Sequence, residues 1–194
     1  MKLDVWSEIL RSFPNRNIPW QYANARARFI AAQKFESAIF RAMPAPTELA
    51  YSSLIRVAFA YSAIEAVEAI YEKSQQKEIR SPILAPELAD LLRSGLMKDF
   101  MAGIALSITA EPLQKSFSEF QSGDSPNLRP VVEATRHAVF HGKTSPSRLG
   151  LRAAKRRAIL DLMTAETLAA ANLAFSELHL TRGIPEKYLT PDSR

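Results

Sequence analysis

The chain has 194 residues, six glycines and no cysteine, with 25 Lys and Arg against 20 Asp and Glu for a formal charge of +5. That length fits one domain with a hydrophobic core of its own. Zero cysteine excludes disulfides, thiolate nucleophiles and every cysteine-ligated zinc or iron–sulfur centre. No glycine falls in a GxGxxG or GxxxxGK pattern, so a phosphate-cradling α/β nucleotide domain is not expected.

In chain order, alanine, leucine, glutamate, lysine and arginine fill long stretches, and none alternates with β-branched residues, so the prediction is helical throughout. Residues 1–20 read as an N-terminal arm with a short helix over 4–13, broken by Pro14 and Pro19. A helix follows over 21–42, with Phe29, Ala32, Phe35 (or Glu36), Ile39 and Ala42 as its apolar stripe. Thr47 is the candidate N-cap of a helix over 48–79, whose core residues are Leu54, Val57, Ala58, Tyr61 and Ile64. A turn at Ser81 leads to a helix over 86–109 with an apolar centre, expected to be buried in the middle of the bundle. Residues 111–125 read as a short helix and then a loop. The helix over 128–141 ends at Gly142 as C′ residue. Ser145 as N-cap and Pro146 at N1 predict a last helix over 146–179, with a tail over 181–194. The expected architecture is one all-α domain, a bundle of five to six helices with its core over 22–180.

The N-terminus MKLDVWSEILRSF is amphipathic and carries acids, unlike a signal peptide. No run of about 18 apolar residues lacks a charge. A cytoplasmic location with no membrane span is therefore expected.

Only three histidines are present, His137, His141 and His179, and two of them share the segment TRHAVFHG at 135–142. On a helix His137 and His141 lie on one face at i and i+4. Arg136 stands five residues before His141, about 140° round the helix. One copy of the helix would not aim both groups at one atom. Either the helix ends at His141 and the imidazole swings, or two copies meet across a two-fold axis and pool the groups. The chemistry suits RNA phosphodiester cleavage. A histidine can move the proton of the 2′-hydroxyl or of the leaving oxygen, and an arginine can neutralise the phosphoryl oxygens. Lys143, Arg148, Arg152 and Lys155 follow closely and could extend a positive surface for an RNA backbone.

Each of these residues also has a plain reading. His141 and Gly142 fit an ordinary helix end. Arg136 could pair with Glu133 or another acid, and the basic run could be a solvated helix face. The tyrosines Tyr51, Tyr61 and Tyr71 read as packing residues, because they do not interleave with the basic cluster. Glu133, His137 and His141 form a stripe that spans about 12 Å, too long for all three to ligate one ion, so no metal or other cofactor is expected.

The segment Arg136-His137-Ala138-Val139-Phe140-His141-Gly142 resembles the Arg-x4-His signature of the HEPN superfamily. His137 stands where that family often has Asn. A long last helix follows the motif helix, and an earlier long helix carries acids in AYSAIEAVEAIY, so the resemblance covers about residues 22–180. It implies a HEPN-like homodimer that cleaves single-stranded RNA without metal. Arg136 and His141 would be catalytic and His137 would assist. Glu65 would support the site from the earlier helix, with Glu68 nearly as good a candidate. The resemblance also implies a toxin–antitoxin or defence setting with an antitoxin-like protein partner. The alternative is a non-catalytic helical homodimer that binds nucleic acid or another protein.

Overall fold

The apolar face expected over 48–79 becomes the spine of the molecule. The computed structural model describes residues 19–39, 42–75, 79–142 and 144–183, together with Arg11. Apart from Arg11, the expected helix over 4–13 lies outside the described residues, as do most of the N-terminal arm and the tail from 184 onward. Within them run seven α-helices: α1 Trp20–Lys34, α2 Ala45–Gln75, α3 Pro86–Arg93, α4 Lys98–Ala105, α5 Glu111–Ser122, α6 Arg129–Phe140 and α7 Ala154–Arg182. No strand forms among the described residues, and Leu84 and Asn127 make one isolated bridge. The helical class is as expected, with more and shorter helices than five or six.

α2 packs against α1, α6 and α7. Leu54, Val57, Ala58, Tyr61 and Ile64 are all buried, and the stripe continues through Val67, Ile70 and Tyr71. Ala60 and Ala63 are fully buried too, so α2 has small side chains on more than one side and neighbours can approach it closely. The directions follow from named contacts. Arg28 reaches the Ser62 carbonyl (3.4 Å), while the Phe35 and Phe59 rings meet edge-on at 5.4 Å, so α1 runs antiparallel to α2. Arg129 meets Glu68 and Arg136 meets Glu65, so α6 is antiparallel to α2 as well. Arg56 pairs with Asp161 of α7 at 3.2 Å, and Tyr22 of α1 meets Phe175 of α7 at 6.2 Å.

Four expected helices differ from those observed. The one expected over 48–79 begins at Ala45, so Thr47 lies inside it rather than capping it, and its Oγ1 is buried without a partner. The first in the chain ends at Lys34 rather than running to 42, because tertiary contacts pull the chain into extended form. Phe35 turns its ring onto Phe59, and the Ala38 N–H donates to Ser52 Oγ at 3.0 Å. Ile39, expected in the stripe, is therefore 90% exposed. The helix expected over 86–109 breaks at Ser94, whose ψ of 158° is extended and whose hydroxyl donates to the Leu91 carbonyl at 2.6 Å. A single 3-10 turn, Gly95–Met97, then leads into α4. Met97, Phe100, Met101 and Ile104 are buried while Lys98 and Asp99 are exposed, so this segment is amphipathic rather than buried all round.

The last helix starts at Ala154, not at 146. Ser145 does open a helical turn, accepting the Leu149 N–H on its carbonyl at 3.1 Å. Gly150 stops that turn, because its φ of 67° lies in the left-handed region that a side chain disfavours. A Cβ there would also collide with Arg156, whose guanidinium binds Asp99 at 2.9 Å. By length and composition Ala154–Leu180 could cross a membrane, and half of its most apolar 18-residue window is buried inside the bundle.

His179 carries a pH signature in this helix. Burial lowers its pKa from the ordinary 6.5, and Nδ1 is buried with no hydrogen-bond partner. The unfolded chain then binds a proton that the folded chain resists. Stability should fall as pH drops past 6.5 toward the lowered folded value. Melting curves across that window should show the loss, and His179→Gln should reduce it. An unchanged pH dependence in the variant would contradict this assignment.

Candidate functional site

α6 begins where the chain is pinned. Asn127 Oδ1 accepts from the N–H of Ile83 (2.9 Å) and of Arg129 (3.1 Å), which joins the helix start to the segment before α3. Pro130 at the second helical position suits a helix start. The helix ends as expected. The His141 N–H donates to the His137 carbonyl at 3.1 Å, and Gly142 takes a φ of 59°.

Two Glu–Arg pairs link α2 to α6, and they differ in kind. Arg129 grips Glu68 with both terminal nitrogens, each contact 2.7 Å, and both side chains are under a tenth exposed. Glu68 also accepts the Ser81 N–H at 2.6 Å, and Arg129 donates to the Ser81 carbonyl at 2.8 Å. Burial opposes the charge on Arg129, and the hydrogen bond and charge of Glu68 more than offset it, so the guanidinium holds its proton more firmly than in water. Both terminal nitrogens and both carboxylate oxygens of this pair are engaged in structure, while Arg129 Nε, like that of Arg136, has no hydrogen-bond partner. Glu68 is therefore no support for a site at Arg136.

The second pair is looser. Arg136 Nη2 stands 3.4 Å from Glu65 Oε2, each side chain about one-third exposed. Burial raises the Glu65 carboxyl above its ordinary value, while Arg136 and Arg28 pull it down and Glu133 pushes it up. The Arg136 guanidinium lies 5.7 Å from the Tyr61 ring centroid and 5.8 Å from that of Phe140, within cation–π range. Its Nε is buried without a hydrogen-bond partner. Tyr61 is itself buried, and burial pushes its phenol up, with Glu133 adding to the rise against the pull of Arg129. Glu133, the local partner considered for Arg136, instead meets Arg80 at 3.4 Å. Among the described residues no group of three His, Asp or Glu side chains is placed to hold a metal.

The other motif residues sit further along α6. The His137 and His141 rings meet edge-on, centroids 5.6 Å apart, and His141 is exposed at the helix end. Phe140 lies between Arg136 and His141 in the sequence and is 58% exposed. Arg136 thus turns toward α2 while His141 faces solvent, in keeping with their angular separation on one helix.

The basic run divides. Arg148, Arg152 and Lys155 are exposed and make no side-chain ion pair among the described residues. Arg156 is taken by Asp99, and Arg157 donates to the carbonyls of Leu151 and Arg152. Lys143 lies outside the described residues.

Three clefts flank these residues. The one that Arg136 lines, of 430 Å³, lies between α1, α2 and α6 with Arg28, Phe59, Ser62 and Phe140. Two others lie nearby. One, of 430 Å³, opens between α1, α2 and α6 and is lined by charges of both signs, including Arg28, Glu65, Glu72 and Glu133. The other, of 480 Å³, borders Gly142 and includes Tyr51 and Arg148. Tyr51, expected as a packing residue, lines this cleft because the antiparallel packing of α2 and α6 brings it near the motif. Comparison with known protein families, curated proteins and solved structures finds no match.

Proposed function

We propose that this chain is a metal-independent endoribonuclease, with its active centre along the C-terminal half of α6 where two copies meet. The observation that carries this reading is the contrast between the two Glu–Arg pairs. Arg129 and Glu68 are buried and doubly bonded, as a structural pair should be. Arg136 and Glu65 are about one-third exposed and held at 3.4 Å, a geometry that adds at most about 1 kcal/mol of stability. Arg136 is nevertheless flanked by two aromatic rings, which restrict where its charge can go.

In the reaction, the 2′-hydroxyl oxygen bonds to phosphorus as the bond from phosphorus to the 5′-oxygen breaks. The hydroxyl proton passes to an imidazole, and a protonated imidazole returns a proton to the leaving oxygen. His141 moves these protons from its exposed place at the helix end. Arg136 neutralises charge on the phosphoryl oxygens, and Glu65 positions Arg136. His137 orients the His141 ring, which it meets edge-on. A second copy supplies the groups that one straight helix cannot aim at the same phosphate, and it would cover the exposed Phe140.

The test is incubation of the purified protein with single-stranded RNA in excess chelator. Cleavage leaving 2′,3′-cyclic phosphate ends is expected, and intact RNA would contradict the proposal. A second reading is favoured by the engagement of Arg136 with Glu65 inside one chain. In that reading the molecule is a non-catalytic homodimer that binds nucleic acid or protein, and the same assay separates the two.

A further inference from the structure

The 480 Å³ cleft lies between the N-terminal half of α2, the end of α6 and the turn at 144–148. Its volume falls in the range that holds one small ligand. Leu54 and Val139 give it apolar surface, and Thr144 and Tyr51 line it as well. Among the described residues Arg148 is its sole charged lining residue, and no carboxylate lines it. The neighbouring cleft between α1, α2 and α6 differs, since four carboxylates line it beside three arginines. Gly142 borders the Arg148 cleft, so it begins one residue beyond His141.

We propose that this cleft binds the nucleotide flanking the scissile bond, with Arg148 on its phosphate and Tyr51 stacked on its base. The position beside the scissile bond rests on the ribonuclease reading, whereas nucleotide binding itself can be measured without cleavage. A guanidinium fork matches phosphate oxygens. An aromatic ring takes any base on its face, so the subsite selects single strands over duplexes and is tolerant of sequence. Apolar surface from Leu54 and Val139 beside the ring favours a base over a free phosphate ion. The site therefore needs both parts of a nucleotide.

The experiment uses the full chain and a short fluorescent single-stranded 2′-deoxy oligonucleotide, which has no 2′-hydroxyl to attack. Anisotropy titrations at several salt concentrations give affinity and salt slope. Arg148→Ala should weaken binding and reduce the slope of log K against log salt by about 0.7, the loss of one single-strand phosphate contact. Tyr51→Leu should weaken binding about tenfold at an unchanged slope, and Tyr51→Phe should keep it. Lys115→Ala, on exposed α5 surface, should change neither. Arg148 is exposed, so its variant decides the matter even if Tyr51→Leu folds poorly.

Unaltered affinity and slope in Arg148→Ala would overturn the subsite, as would absence of binding by the unaltered chain. Neither result touches the ribonuclease reading, which is decided by RNA cleavage. Binding with the stated dependences in a chain that never cleaves RNA would keep the nucleotide site and remove the nuclease.

Discussion

Glu68→Ala and Arg129→Ala should each destabilise the fold by about 3–5 kcal/mol, because each leaves its partner charged and buried. For a chain of this length that is a fall of about 6–20 °C in Tm. The pair holds more than itself. Ser81 gives its N–H to Glu68 and its carbonyl to Arg129, so the segment leading to α3 hangs on the same two side chains. Replacing both with apolar residues of similar volume should cost less than either single change, since no unpaired charge remains. It should not be neutral, because two Ser81 backbone groups lose their partners at about 1–3 kcal/mol each. Chemical denaturation of the two singles and the double measures the coupling. Single variants within 1 kcal/mol of the parent would contradict a structural role for this pair.

Arg136→Ala should do the opposite, leaving stability nearly unchanged and removing activity. Its ion pair is about one-third exposed and contributes about 0–1 kcal/mol. Loss of a donor aimed at developing phosphoryl charge costs about 10²–10³ in kcat. His141→Ala should cost about 10²–10⁴, the usual contribution of a placed acid or base. Glu65→Gln should cost less than either, because it touches no reacting atom and only positions Arg136. Rates on single-stranded RNA, measured beside melting curves, check all three. Full activity in Arg136→Ala and His141→Ala would remove the catalytic assignment. A parallel loss of fold would reassign both residues to structure.

The sequence was most informative where periodicity and end signals agreed. The buried face of α2 follows from Leu54, Val57, Ala58, Tyr61 and Ile64 at helical spacing, and the end of α6 follows from Gly142. Legibility failed where a distant partner decided the outcome. Nothing local says that Phe35 leaves the helix to meet Phe59, or that Arg156 occupies the space a Cβ at Gly150 would need. Ser145 and Pro146 gave a valid start signal, but the left-handed Gly150 confined it to one turn. At the site, spacing alone put Glu65 and Glu68 almost level. They separate because Arg129 lies opposite one and Arg136 opposite the other, more than 60 residues away along the chain in each case. Tyr51 reads as packing in the sequence because the basic cluster lies far from it along the chain, and antiparallel pairing brings the two to one cleft.

Mixing two inactive variants distinguishes an active centre shared between two copies, as proposed, from one built within a single chain. Arg136→Ala supplies His141 without Arg136, and His141→Ala supplies Arg136 without His141. If each site takes Arg136 from one copy and His141 from the other, a mixed dimer contains one complete site and one empty one. Random re-pairing makes half the dimers mixed, so the mixture should recover about a quarter of the unaltered rate. Recovery of that order in metal-free buffer is the predicted result. A mixture as inactive as its components, under conditions where subunit exchange is shown to occur, would contradict a site shared between copies.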